Sequence, residues 1–137
     1  MNPFEPQVRV RDVMTRRVAT ASPDESLHAI WFRLAEERCH HLPIVDAGRV
    51  VGMISNRDVV RVADRMGVTK LSSAAIGEVT AGEVMTDGLE TVEADEPIDR
   101  AIDRIGSGDL HALVVLDDAG DLAGIVTDRD LLQFMLS

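Results

Sequence analysis

The sequence writes one plan twice. DVMTRRVATASPDESL at residues 12–27 is answered by EVMTDGLETVEADEPI at 83–98, at a constant offset of 71 residues. The register carries through Arg33 and Arg104 to HHLPIVD at 40–46 and HALVVLD at 111–117. One extra residue enters the next turn, AG against DAG, and the offset becomes 72 as GMISNRDVV (52–60) aligns with GIVTDRDLL (124–132). Whatever one copy folds into, the other must fold into as well. The division this implies is a first repeat over residues 8–66, a linker over 67–79 and a second repeat over 80–136.

Each copy reads as β-α-β-β-α. Residues 18–20 and 89–92 suggest short strands. Ser22-Pro23-Asp24-Glu25 and Asp95-Glu96-Pro97 suggest helix starts, with Pro and acids placed for a first turn. Leu27, Ile30, Trp31 and Leu34 recur at i, i+3, i+4, i+7, as do Ile98, Ala101, Ile102 and Ile105, which makes both segments amphipathic helices. Trp31 on that face is expected in a core or an interface. Two apolar runs around a Gly turn predict a hairpin, and a last helix follows at 57–66 and at 128–136. A three-stranded unit of about 55 residues buries little surface by itself. Two copies packed sheet against sheet remove that difficulty, so the expected class is α/β (α+β), a pseudo-twofold pair.

The two strand-to-helix corners, Gly52-x-x-Ser55-x-x-Asp58 and Gly124-x-x-Thr127-x-x-Asp130, carry the chemistry. Taken plainly, each is a helix cap in which a hydroxyl accepts from an N3 amide and the acid favours the helix dipole. A second use is compatible with the first. Unpaired amides at a helix start suit a phosphate, the hydroxyl adds a donor, and Arg57 or Arg129 adds a forked cation. Asp58 or Asp130 can accept from adjacent ribose hydroxyls, and the glycine is expected to let a ligand approach the strand backbone. Together these are the parts of a nucleoside-phosphate pocket.

Composition removes other classes. Apolar residues make up 45% of the chain, enough for a real core, and no run approaches the ~18–20 residues needed to span a bilayer. The first twelve residues lack the apolar stretch of a secretory signal, and the single Cys39 forms no internal disulfide; the expected location is the cytoplasm. The net charge of −10 opposes a phosphate backbone, so no nucleic-acid partner is expected. Residues 1–78 hold 11 basic and 10 acidic side chains, whereas residues 79–137 hold 3 and 14, an asymmetry that favours head-to-tail pairing of copies. Cys39-His40-His41 lie consecutively on a strand and alternate faces, so no metal site is expected. Met14 and Met85 read as packing residues, and the acids of residues 90–103 as a solvated helix face. No nucleophile–base pair, P-loop or metal-bound carboxylate pair is present at readable spacing; the expectation is a non-enzyme.

The ordered set DVMT, PDESL, HHLPIVD and GMISNRD, with its second copy, resembles a tandem pair of cystathionine-β-synthase (CBS) domains over residues 8–136. The resemblance implies a regulatory module for adenosine-containing ligands: AMP, ADP, ATP, S-adenosylmethionine or NAD. It implies that pairs dimerise into a flat disc, and that each cleft takes its corner from one repeat and its base-contacting strand from the other. Carried over, a first pocket joins Ser55, Arg57 and Asp58 to Leu89, Glu90, Thr91, His111 and Ala112. A second joins Thr127, Arg129 and Asp130 to Val18, Ala19, Thr20, His40, His41 and Pro43. Asp58 and Asp130 would hold ribose, the hydroxyls and arginines would face phosphate, and the strands at Val18 and Leu89 would meet adenine.

The copies depart from one another: Val114 replaces the Pro of HHLP, and Ala112 stands where a polar or basic residue is common. With His40 and His41 both present, the Asp130 pocket is the better one for a charged nucleotide. Two functions follow. In one, a ligand bridges the repeats, changes the conformation of a homodimer and so regulates an effector protein in trans. In the other, the chain is an oligomerisation or interaction module whose corners are caps alone.

Overall fold

The computed structural model describes residues 7–108 and 110–137. In chain order the elements are α1 (Val10–Val13), α2 (Leu27–Glu36), β1 (His41–Asp46), β2 (Arg49–Ser55), α3 (Asn56–Met66), α4 (Ala74–Gly77), α5 (Ala81–Val84), β3 (Thr91–Glu93), α6 (Ile98–Gly106), β4 (Ala112–Leu116), β5 (Leu122–Thr127) and α7 (Asp128–Leu136). The class is mixed α/β; the second repeat shows the predicted β-α-β-β-α order after a short opening helix, and the first shows it without the opening strand.

The chain forms two compact units that do not coincide with its two repeats. A continuous unit is Val18–Leu89; a split unit joins the chain up to Arg17 to Glu90–Ser137. Each repeat therefore lends its opening Met-Thr segment to the unit built mainly from the other repeat.

In the continuous unit β1 and β2 form an antiparallel hairpin, closed by Ala47 and Gly48 at φ 50° and 80°. Two left-handed residues give the primed turn whose twist matches paired strands. Leu27, Ile30 and Leu34 of α2, Leu42 and Ile44 of β1, Ile54 of β2 and Val59 and Val62 of α3 make the aliphatic core. α3 stops at Gly67, which takes the left-handed cap at φ 69°. The linker is not slack chain: it holds α4, and Ile76 is fully buried in the same core. In the split unit β3 lies parallel to β4, which is antiparallel to β5. Its core joins Val10 and Met14 to Val92, Ile98, Leu113, Val115, Val126 and Leu131.

Two local expectations are corrected and a third is narrowed. Residues 18–20 form no strand; a single bridge from Ala21 to Ile44 stands in their place, and β3 begins at Thr91 rather than Leu89. The helix-start acids sit one turn early. Glu25 accepts from the Ser22 amide at 2.7 Å and Glu96 from the Glu93 amide at 2.7 Å, closing turns before α2 and α6, which begin after Ser26 and Pro97. Trp31 is not core. It is 42% exposed and meets Phe32 edge-to-face, because Leu27, Ile30 and Leu34 fill the buried face of α2.

The conserved-spacing glycines also differ from expectation. Their open side is filled by protein: a Cβ on Gly52 would lie 2.4 Å from Met85 Sδ, and one on Gly124 would lie 2.6 Å from the Thr15 carbonyl oxygen. Beside each glycine a Met-Thr segment crosses the strand. Thr86 exchanges both backbone hydrogen bonds with Met53 at 3.0 and 3.1 Å, and Thr15 does so with Ile125 at 2.8 and 3.0 Å. The neighbouring ladder slips register after Ile44 and after Val115, bending each hairpin at that point. The glycines admit a chain segment, not a ligand.

A methyl group at either position must push that segment away. Gly124→Ala opposes a hydrogen-bonded carbonyl and is expected to cost about 2–3 kcal/mol, whereas Gly52→Ala meets a Met side chain able to repack and costs roughly 1–2 kcal/mol. Urea unfolding of both variants measures the order; equal losses would show that backbone and side-chain obstruction are equivalent here.

Candidate ligand-binding site

Both corners are complete capping boxes. Ser55 Oγ accepts from the Asp58 amide at 3.2 Å, while Asp58 Oδ2 accepts from the Ser55 amide at 2.8 Å and from Ser55 Oγ at 3.0 Å. Thr127 and Asp130 repeat this at 3.2, 2.9 and 3.1 Å. In each box Oδ2 does the capping and Oδ1 points elsewhere. Asp58 Oδ1 has the Arg61 guanidinium 3.8 Å away, and Asp130 Oδ1 accepts from Thr15 Oγ1 at 3.2 Å. Each aspartate is only partly buried and so can accept further hydroxyl donors. Arg57 and Arg129 follow their caps and are exposed.

The continuous unit holds the remaining residues expected around Asp130. His41 pairs across the hairpin with Ser55 and Pro43 with Met53. His40 accepts the Asn56 amide on its carbonyl at 3.1 Å, and its Nδ1 lies 2.9 Å from Asn56 Nδ2. Both histidines thus stand beside their own Ser55 corner. Pro43 is buried and its carbonyl accepts from Ala21 at 3.1 Å. Val18, Ala19 and Thr20 are half-buried extended chain.

In the split unit Ala112 pairs with Thr127, and His111 Nδ1 lies 3.4 Å from Asp128 Oδ2. Thr91 opens β3 opposite Val114. Glu90 lies 3.4 Å from Arg104 at the edge of a cavity of about 450 Å³. Leu89 closes the continuous unit, one residue before the chain enters the split one. Each corner and its Met-Thr segment therefore share a unit, whereas the residues expected around each corner are divided between the two.

Arg33 and Arg104 perform one task twice. Arg33 Nη1 donates to the Thr20 carbonyl at 2.8 Å and Arg104 Nη1 to that of Thr91, so each ties its helix to the strand segment expected to meet adenine. Arg33 is further held by Glu25, with contacts of 2.9 and 2.6 Å. That hydrogen-bonded guanidinium lowers the Glu25 carboxyl below its ordinary value and raises Arg33 above its own. Burial pushes the Cys39 thiol up, which leaves it a poor nucleophile.

Two features escaped the sequence reading. Thr15 reaches Asp130, and its signal was its place in the repeated Met-Thr pair. The other is a groove of about 760 Å³ along α2 and α3, with Trp31, Val60 and Leu71 on its walls and His40 and Asn56 at one end. Among the described residues no group of three His, Cys, Asp or Glu is placed to hold a metal, and no helix is long and apolar enough to cross a membrane.

The family model described as "CBS domain" matches residues 10–65 and again residues 81–137. This chain belongs to the CBS domain family. It is 27% identical to the CBS domain pair of protein MJ0100, solved with 5′-methylthioadenosine and S-adenosyl-L-methionine; the match covers 95% of this chain and 97% of that one at a TM-score of 0.80. CBSX2 solved with AMP is also 27% identical, with 93% and 96% covered and a TM-score of 0.77. Homoserine O-acetyltransferase of Methanohalobium evestigatum is 28% identical over 96% of this chain, which spans 25% of that enzyme's length.

The Glu25–Arg33 tie gives a pH dependence of known sign. A carboxyl lowered in the folded state stabilises the fold above its unfolded value, 4.5, and that contribution is lost as pH falls through the folded value. Wild type should melt higher than Glu25→Gln at neutral pH, and the gap should close below about pH 4.5. A gap that persists at pH 3 would assign the loss to packing instead of charge.

Proposed function

We propose that the chain is a regulatory module that binds an adenosine-containing ligand, in the class of AMP, ADP, ATP, S-adenosylmethionine or NAD, between its two repeats. One observation carries the reading. Each capping aspartate spends Oδ2 on its own helix and keeps Oδ1 out of the cap, beside Arg61 at Asp58 and Thr15 Oγ1 at Asp130, where a second acceptor site remains for a ribose diol. The exposed Arg57 or Arg129 beside it suits phosphate, while the helix-start amides are engaged: Asn56 donates to the His40 carbonyl at 3.1 Å, Asp128 to that of His111 at 3.0 Å and Arg129 to Asp128 Oδ1 at 2.8 Å. Two solved CBS pairs that this chain matches over nearly their whole resolved length support the ligand class, since one holds methylthioadenosine with S-adenosylmethionine and the other AMP.

Connectivity supports the bridging geometry. Thr15 contacts Asp130, and Val18 follows three residues later, a span of at most about 11 Å. The chain passes between units at Arg17–Val18 and at Leu89–Glu90, next to both adenine-facing segments. The ligand's role is to shift conformation, with no catalytic step, and to act on an effector in trans. Exposed Trp31, Phe32 and Val60 on one unit and Leu132, Met135 and Leu136 on the other supply apolar helix faces for a homodimer.

A second reading has its own support: both caps are complete without a ligand, so the module could serve oligomerisation alone. A thermal-shift panel with the five ligands separates the two. A ligand at about 100 times its Kd adds about 2.7 kcal/mol, a shift of several degrees. Asp130→Ala and Asp58→Ala each lose a cap worth about 1 kcal/mol and should melt lower without ligand. The sensor reading expects one compound to raise the wild-type melting temperature and to lose that effect in at least one variant. A flat panel with two lowered variants would leave the corners as caps alone.

A further inference from the structure

The two corners are alike in every capping bond, but the residues set beside them are opposite in charge. The Met-Thr crossing decides which residues those are. In the split unit Thr15 pairs with Ile125 and donates to Asp130, so the next two residues, Arg16 and Arg17, flank the Thr127–Asp130 corner. In the continuous unit Thr86 pairs with Met53, and the residues that follow it beside the Ser55–Asp58 corner are Asp87 and Gly88. Consecutive Cα atoms are only about 3.8 Å apart, so neither pair can lie far from its corner. All four residues are exposed.

The remaining charges reinforce this difference or are already engaged. Arg16 donates from Nη2 to the Arg11 carbonyl at 3.0 Å, which leaves Arg17 as the less engaged cation of the pair. Asp128, the acid that the split-unit corner has where the other has Asn56, lies 3.4 Å from His111. Arg61, the extra cation of the other corner, lies 3.8 Å from Asp58 Oδ1, the oxygen a ribose would use. Around Asp130 an incoming phosphate meets Arg16, Arg17 and Arg129. Around Asp58 it meets Arg57 and the carboxylate of Asp87, with His40, bonded to Asn56, and His41, paired with Ser55, on the same corner.

We infer that the residues after each Met-Thr pair set the charge of the ligand its corner accepts. Arg16 and Arg17 make the Asp130 corner a site for adenosine bearing a phosphate chain. Asp87 and Gly88 make the Asp58 corner a site for adenosine without phosphate, either neutral or carrying a cationic sulfonium. This rests on the adenosine reading above and adds the determinants within it. Gly88 stands at φ 61°, so an arginine there would be strained, and Asp87 is the position through which the preference can be changed.

Calorimetric titration of the full chain with ATP, AMP and adenosine tests it, after a thermal melt has shown that each variant folds. Asp58→Ala isolates the Asp130 corner, and Asp130→Ala isolates the other. In the first background ATP should bind more tightly than adenosine, and adding Arg17→Ala should weaken ATP about fivefold with adenosine changed less than about twofold. The ATP affinity should fall with added salt, and less steeply once Arg17 is removed. In the second background adenosine should equal or exceed ATP, and Asp87→Asn should narrow the difference. An ATP preference that survives Arg16→Ala with Arg17→Ala, or the same preference at both corners, would overturn the inference and leave the adenosine reading standing. No binding of any of the three compounds to wild type would overturn both.

Discussion

The crossing of a Met-Thr segment over a strand glycine organises the rest of the molecule. Two backbone hydrogen bonds join Thr15 to Ile125 and two join Thr86 to Met53, beside Gly124 and Gly52 respectively. Met14 joins the core of the split unit, and Met85 packs against that of the continuous one. Because each crossing segment belongs to the other repeat, neither repeat closes its own core. The basic start of the chain is carried onto the acidic second repeat, where Arg11 pairs with Asp95. The split unit consequently holds 7 basic and 14 acidic residues and the continuous unit 7 and 10, a much smaller asymmetry than the repeats themselves suggest. The electrostatic case for head-to-tail pairing weakens with it.

The same crossing puts structure and recognition on shared atoms. A capping box needs one carboxylate oxygen, and the second is left for whatever the environment presents. At Asp130 the environment is Thr15 with two arginines behind it; at Asp58 it is Arg61 with Asp87 nearby. Capping holds the aspartate rigidly before any ligand arrives, and a preorganised acceptor binds with less ordering cost. Arg33 and Arg104 do for the extended segments what the caps do for the corners, fixing the carbonyls of Thr20 and Thr91 from thirteen residues further on in each case.

Legibility differed by the range of the interaction. The hairpins, α3, α7 and both capping boxes are local, and their residues announce them: Ser55 with Asp58, Thr127 with Asp130, Gly at each turn. Trp31 was left between core and interface because a period of 3.6 gives the direction of a side chain but not where the partner surface ends. The acids of 22–25 and 93–96 were misplaced by one turn because a turn and a helix start use the same residue types. The glycines were assigned to a ligand because nothing local indicates that a segment some thirty residues away in one case, and over one hundred in the other, fills the space.

The sequence by itself determined the duplication, the class of fold, the aliphatic cores and the identity of the two corners, since all of these follow from short-range pattern and from its repetition at a fixed offset. Tertiary structure alone decided which Met-Thr segment serves which corner, that a linker residue such as Ile76 completes a core, and that the threonine before Arg16 and Arg17 meets one corner while the threonine before Asp87 pairs beside the other. The reason is physical. A cap is satisfied within four residues of itself, whereas a glycine-lined gap is filled by whichever distant segment the closing of the chain delivers to it.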